Sequence, residues 1–329
     1  MRKFIIGGIG ILLVAVTCYT ALDFRSLLHR PLLSGTDATQ TVILKLDKNT
    51  SAVSFVRLLE RQNLVRSPRL FLLYIRLNGF SKKLKAGIYE VKSGETVLQL
   101  LQKILSADVL VLPFRIVNGT TQQNIESQLA NLPYLTPEPN VWKNIAAEHP
   151  SAEGLILADT YNYDAGSSSG QLLLRANARL RQVLDKSWTN RDANLPYKTA
   201  YELLTAASII EKEAAKPDER RLISGVLANR LRKRMQLQMD PTVIYALGPQ
   251  FKSKLTHQDL SINSPYNTYL HYGLPPTPIA MVGEDAIDAA AHPTVTNYLY
   301  FVANGEGGHQ FSETYVQQRE AITKYRHRQ

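Results

Sequence analysis

From Thr41 onward the apolar positions fall into short runs whose period switches between two and about 3.6 residues. Residues 41–46 alternate and predict a strand. Residues 50–62 carry Val53, Val56, Leu58 and Leu59 at helical spacing, and residues 67–77 continue with a Leu- and Tyr-rich helix whose Pro68 suits a first turn. A strand at 86–91, a turn through Ser93 and Gly94, and a helix at 97–105 follow. Residues 109–117 predict another strand, and 121–129 a helix. The Pro-, Asn- and Thr-rich segment 131–140 reads as an ordered loop, and 166–170 as a short flexible Gly-Ser connector. A long amphipathic helix is predicted over 171–188, then two more at 199–216 and 218–234, parted by Pro217. Residues 236–311 are rich in turn formers, with one strand at 298–302, and a helix from Glu313 closes the chain. The fold class this pattern predicts is α+β.

The helix at 199–216 is the most unusual. Leu203, Ala207, Ile210 and Ala214 form one apolar stripe. At about 100° per residue, Glu211 and Glu213 lie on its two flanks, each roughly 80° from the centre. A carboxylate at the edge of an apolar face is partly desolvated, which raises its pKa and suits it to general-acid work. Two solvated flank glutamates would show the same spacing, so spacing alone does not choose.

The ends of the chain add location. Residues 4–22 carry no charge and would span roughly 28 Å as a helix, enough to cross a bilayer core. Arg2 and Lys3 before the stretch favour a cytoplasmic N-terminus and an exported remainder, although Arg25 and Arg30 follow it. No small-x-small cleavage site closes the stretch. Thr17 is a poor residue before a lipidated cysteine, so Cys18, the single cysteine, is read as part of an anchor. The exported part is then free of disulfides and must hold itself together by its core. A net charge of +10 favours an anionic partner. Nucleic acid is excluded, because the cluster Arg230, Arg232, Lys233 and Arg234 lacks interleaved aromatics and sits where cations suit a helix C-terminus.

Five ordered blocks decide between the readings of the acidic pair. Ala207-Ser-Ile-Ile-Glu-Lys-Glu-Ala214 with Leu227-Ala-Asn-Arg230 comes first, then Leu237-Gln-Met-Asp-Pro-Thr-Val-Ile-Tyr245. Ser264-Pro-Tyr-Asn-Thr-Tyr269, Gly273-Leu-Pro-Pro276, and Tyr298-Leu-Tyr-Phe-Val302 with Gly307-Gly-His309 complete the series. Together they resemble the endolytic murein transglycosylases, the YceG-like or MltG family. Glu153-Gly-Leu-Ile-Leu-Ala-Asp-Thr-Tyr161 extends the likeness more weakly, with Ala158 where that family usually has Pro; Thr277 likewise stands for a usual Gly.

The resemblance implies a lyase that cuts the bond between N-acetylmuramic acid and N-acetylglucosamine in nascent strands and leaves a 1,6-anhydro end. One carboxyl serves as acid and then as base. Related germination enzymes keep only the glutamate of the Glu-Ala pair, which points to Glu213 as catalytic and leaves Glu211 as a charge partner or a structural flank. The substrate-binding residues implied are Glu211, Asn229, Gln238, Asp240, Tyr266, Asn267, Thr268, Tyr269 and His309. Turn formation competes for Asp240 and for the Tyr266–Tyr269 block, and Asn229 and Arg230 suit bonding across the helix pair. A hydrolase would need a second acid, for which Asp240 and Glu306 are the candidates. His257, His271, His292 and His309 lack metal-ligand spacing, so no metal is expected; no nucleotide loop is present and no cofactor is implied.

The strand, Ser-Gly-Glu-Thr turn and helix at 86–105 resemble a LysM-like module, a small sugar-binding fold. The organisation expected is a cytoplasmic tail and transmembrane anchor at 1–25, a linker at 26–40, the LysM-like module at 41–110 and a YceG-like catalytic domain at 111–329. The protein would be single-pass in the inner (cytoplasmic) membrane with its catalytic part in the periplasm or outside the cell. Its partners would be peptidoglycan strands and peptidoglycan synthases. The alternative is a non-catalytic peptidoglycan-binding scaffold at the membrane.

Overall fold

The computed structural model describes residues 28–33 and 41–325. The expected anchor at 1–25, with Cys18, lies outside the described residues. Among the described residues no helix is long and apolar enough to cross a membrane. The chain divides into two compact units: residues 1–112 with 164–166, and residues 113–163 with 167–329. The structure is mixed α+β with small sheets.

In the first unit, β1 (Thr41–Leu46) pairs antiparallel with β2 (Gly87–Lys92), Leu44 opposite Tyr89. Two helices, α1 (Ala52–Arg61) and α2 (Pro68–Leu77), lie between them in sequence, and α3 (Val97–Ser106) follows. Each starts where the sequence supplies a cap or a proline. The Ser51 hydroxyl accepts from the Ser54 amide, Pro68 opens α2, and Thr96 with Gln99 forms a reciprocal capping box. Leu44, Phe55, Leu59, Phe71, Ile75, Tyr89, Leu100 and Ile104 make the core. Residues 28–33, expected to be linker, belong partly to this unit: Leu28 is buried in its core, and the Leu32 amide donates to the Glu95 carbonyl.

The second unit begins in β3 (Val111–Arg115), which pairs with β4 (Thr160–Asp164). Helices α4 (Gln122–Leu129) and α5 (Val141–Ala146) come between them. The 166–170 stretch is not the flexible connector that its composition suggested. The Ser168 hydroxyl caps α6 (Ser169–Thr189), and Ser167 and Ser169 exchange backbone bonds with Thr136. Capping draws these serines into the helix start.

At the centre lies α7 (Ala200–Glu213), capped by the Thr199 hydroxyl and buried at every position from Leu203 to Ile210. It packs against α6, α8 (Arg220–Arg232), α9 (Asp240–Leu247) and α10 (Glu284–Ala291). Such burial all round admits polar groups only with partners. Buried Ser208 meets this rule by donating to the Thr205 carbonyl and accepting the Ile279 amide. The helix stops short of the expected residue 216, and its successor starts at Arg220. Lys216, the residue before Pro217, is extended (φ −109°, ψ 135°), as a pre-proline residue prefers, and Pro217 opens a 3-10 turn. Ala214 is already extended (φ −75°, ψ 103°), so Glu213 is the last helical residue. Helices α9 and α10 lie in a region expected to be turns, and Asp240-Pro241 opens a helix there. A hairpin of β5 (Tyr300–Ala303) and β6 (His309–Ser312) and helix α11 (Tyr315–Tyr325) complete the unit.

Candidate active site

The two glutamates at the end of α7 have different surroundings. The Glu211 side chain is only 3% exposed, and it is fully engaged. Its Oε2 accepts from the Asn118 amide at 3.2 Å and the Gly283 backbone N–H at 3.0 Å, and its Oε1 faces the Arg220 guanidinium at 3.3 Å. Three distant segments meet on this one carboxylate.

Glu213 keeps partial contact with solvent while protein packs around its carboxyl. Burial pushes its pKa up to about 8, and the neighbouring Asp240 carboxylate, a like charge, adds to the rise. A helix C-terminus is also an unfavourable place for negative charge. The group therefore holds a proton at neutral pH, as a general acid must.

Asp240, exposed at the first turn of α9, accepts a 2.5 Å hydrogen bond from the Tyr269 hydroxyl. Burial, then the hydrogen bond to Asp240 and that carboxylate's charge, drive the Tyr269 phenol well above its ordinary pKa, so it stays a donor. Arg230, 7% exposed, braces this group from α8. It donates to the carbonyls of Leu299, Gln236 and Leu237 and to the Gln238 side-chain oxygen at 2.6–3.2 Å, and it lies 5.0 Å over the Tyr300 ring. Gln238, exposed in the left-handed region at φ 51°, is held by this bond and by its own amide to the Thr268 carbonyl.

The other sequence candidates make hydrogen bonds within the fold. Asn267 is fully buried: its amide nitrogen donates to Leu260 and Ile262, and its oxygen accepts from the Tyr269 N–H. The Thr268 hydroxyl accepts from the Met239 amide and pairs with Thr242. Together they fix the loop that presents Tyr269 to Asp240. Asn229 bonds to the Thr296 and Tyr298 carbonyls, the approach to β5, rather than across the helix pair, and Arg230 likewise reaches loops. Tyr266 shares a 2.9 Å hydrogen bond with the Thr277 hydroxyl, and its ring leans on Tyr245. His309 bonds through Nδ1 to Glu219 at 2.7 Å, and its backbone N–H donates to the same carboxylate. Glu306 is exposed in the turn between β5 and β6; the acid whose charge bears on Glu213 is Asp240.

Two contributors, Arg220 and Glu219, were not singled out in the sequence, and Glu153, which accepts from the Gln122 amide and the Tyr245 hydroxyl, was named only as the start of a family block. Glu153 opens an apolar run, Gly-Leu-Ile-Leu-Ala, and a lone acid in such a place is a sign of burial.

The model of the YceG-like family matches residues 44–324, most of the chain. The chain belongs to the YceG-like family. It is 30% identical over 314 residues to the endolytic murein transglycosylase of Bacillus subtilis (strain 168), covering 88% of this chain and 86% of that protein. It is 28% identical over 282 residues to the protein of that name from Streptococcus pneumoniae serotype 2 (strain D39 / NCTC 7466), covering 75% of this chain and 51% of the relative. The aligned part thus spans about half of that longer relative. A crystal structure described as a YceG-like protein from Listeria monocytogenes superposes with a TM-score of 0.52 at 28% identity, covering 85% of this chain and 99% of that one. The resemblance carried by the five sequence blocks and the family match agree.

Proposed function

We propose that this YceG-like chain is an endolytic lytic transglycosylase of peptidoglycan, with Glu213 as its acid and base. The observation that carries the reading is the desolvated Glu213, its pKa raised to about 8, beside the Asp240 carboxylate. It is supported by relatives in two organisms that are named endolytic murein transglycosylase.

Glu213 gives its proton to the bridging oxygen as the bond from that oxygen to C1 of the muramic acid breaks. Asp240 faces the positive charge that develops at the sugar, where a fixed carboxylate stabilises it most. The Glu213 carboxylate then takes the proton of the C6 hydroxyl as O6 bonds to C1. The ring closes as a 1,6-anhydro sugar and Glu213 is protonated again, so no water is consumed. An internal hydroxyl is already at high effective concentration, which lets one carboxyl perform both transfers. Asp240 also raises the proton affinity that Glu213 needs as a base. Tyr269, Arg230 and Gln238 hold Asp240 and its loop.

The remaining assignments belong to the same proposal. Residues 1–25 anchor the protein in the cytoplasmic membrane, residues 41–110 form a LysM-like wall-binding module, and residues 111–329 are catalytic. The catalytic part works outside the membrane on nascent strands beside peptidoglycan synthases. Tyr266 and His309 flank the substrate.

Asp240 is also the observation that favours a second reading, a hydrolase in which this carboxylate activates water. Cleavage in heavy-oxygen water separates the two by mass spectrometry of the new ends. Unlabelled anhydro ends, one water lighter than reducing ends, are expected. Label at C1 overturns the lyase reading.

A further inference from the structure

The positive charge of the chain is not spread evenly. Residues 41–112 carry +7 of the total of +10, and residues 113–329 only +1. Between Lys48 and Tyr89 the first unit has nine lysines and arginines against one acid, Glu60. Among the described residues none of the nine makes an ion pair; the acids Asp47, Glu90 and Glu95 pair with Lys45, Lys92 and Lys103 instead. Unpaired like charges crowded on a small unit repel one another, and an anionic partner relieves that repulsion.

Part of this charge lies on one helix face. Helix α2 buries Phe71 and Ile75 and leaves Arg69, Leu73, Arg76 and Leu77 exposed. At about 100° per residue these four fall within about 100° of arc, a single stripe of mixed leucine and arginine. Leu73 is 50% exposed and Leu77 77%. Exposed Arg61 and Arg66 precede the helix, and exposed Lys82, Lys83 and Lys85 follow it. Exposed leucines among cations are the composition of a helix that lies in a lipid headgroup layer, where the long basic side chains reach outward to the phosphates.

We propose that this face of α2 docks on a bilayer surface rich in anionic phospholipid. Leu73 and Leu77 enter the boundary of the acyl chains, while Arg69, Arg76 and the flanking cations meet the phosphates. The length of the tether supports this. The apolar stretch read as the anchor ends at Leu22, and Leu28 is already packed in the core of the first unit. Six residues reach at most about 20 Å, so an anchored chain keeps this unit at the headgroup layer. That step rests on the anchor reading; the charge and exposure of the face do not. A wall polymer would satisfy the cations but offers no apolar layer to the leucines. A second copy of the chain would bring the same positive charge.

The test uses the full chain carrying Cys18→Ser and Leu77→Cys, with an NBD fluorophore attached at position 77. It is reconstituted in vesicles of phosphatidylcholine alone or mixed with phosphatidylglycerol. Leu77 points away from the core, and an unchanged melting temperature checks that the label leaves the fold intact. In the anionic vesicles the emission should shift to the blue and be quenched by nitroxide-bearing lipid; in the neutral ones it should not. Each cation near an anionic surface contributes about fivefold, so Arg69→Glu with Arg76→Glu should lower the ratio of docked to undocked molecules at least tenfold. Arg69→Lys with Arg76→Lys should keep it within about threefold, because charge rather than shape is recognised. Equal emission in the two kinds of vesicle, or docking that the glutamate pair leaves unchanged, overturns the proposal. So does a label that answers to soluble peptidoglycan fragments and not to anionic lipid, which would give the face to the wall polymer. Failure of the protein to float with neutral vesicles would instead overturn the anchor reading, and the label in anionic vesicles would still decide the face.

Discussion

Two residues apart on one helix, Glu211 and Glu213 should fail differently when their charge is removed. Replacing Glu213 by Gln keeps the shape and removes the proton that moves, so glycan cleavage should fall at least about a hundredfold, measured as anhydro ends released. Its pKa of about 8 lies above the ordinary 4.5. Between these values the folded protein holds a proton that the unfolded chain has released, so stability falls as pH rises through this window. Glu213→Gln removes that slope. At pH 9 the variant should be the more stable by about 1–3 kcal/mol in denaturant titrations, and equal to the parent below pH 4. The same pKa predicts that kcat/KM declines above about pH 8 as the acid ionises. Glu211→Gln should do the reverse. It removes the closer of the two carboxylates that pair with the half-buried Arg220, the other being exposed Asp285 at 3.7 Å, which costs about 1–3 kcal/mol, while activity per folded molecule changes much less. A stable but inactive Glu211→Gln protein would exchange the two roles. Spacing displayed the acidic pair without ranking it, because each residue's partners come from distant segments: Asn118, Arg220 and Gly283 for one, Asp240 for the other.

Among elements, α8 depends on a close approach that only a missing side chain allows. A Cβ at Gly225 would stand 2.5 Å from the Thr294 carbonyl oxygen, while the Thr294 N–H donates to the Arg221 carbonyl one turn earlier. Gly225→Ala should therefore push the 294–298 segment off α8 and lower stability by about 1–3 kcal/mol, read as a drop in Tm. That segment carries the carbonyls that hold Asn229 and leads to the Leu299 carbonyl that holds Arg230. The elements up to Leu129 were legible because they are short, capped and either alternating or amphipathic. Helices α9 and α10 were not. The proline after Asp240 reads as a turn opener as readily as a helix first turn. In Glu284–Ala291 the buried face is mostly alanine, Ala286, Ala290 and Ala291 around Ile287, which gives little hydropathic contrast. The end of α7 was placed three residues late for a related reason. Pro217 bars helix from Lys216 onward, but the chain has already turned extended at Ala214.

At the scale of the whole molecule, the proposed anchor must be separable from the folded parts if it only tethers them. The described residues show where separation is possible. Leu28 is buried against the core of the first unit, and the Leu32 amide is bonded to the Glu95 carbonyl. A chain lacking residues 1–25 keeps these contacts; one lacking residues 1–33 loses them. The shorter deletion should give a soluble protein that melts cooperatively and cuts isolated glycan within about twofold of the full chain. The longer one should lose stability of the first unit, by about 1.5–3 kcal/mol for the exposure of one leucine's worth of core, with its glycan cleavage changed less. Calorimetry on both proteins checks the ordering. Equal melting of the two would mean that residues 28–33 add nothing to the fold. Aggregation of the shorter deletion with no cooperative transition would mean that the segment read as an anchor is part of the folded body.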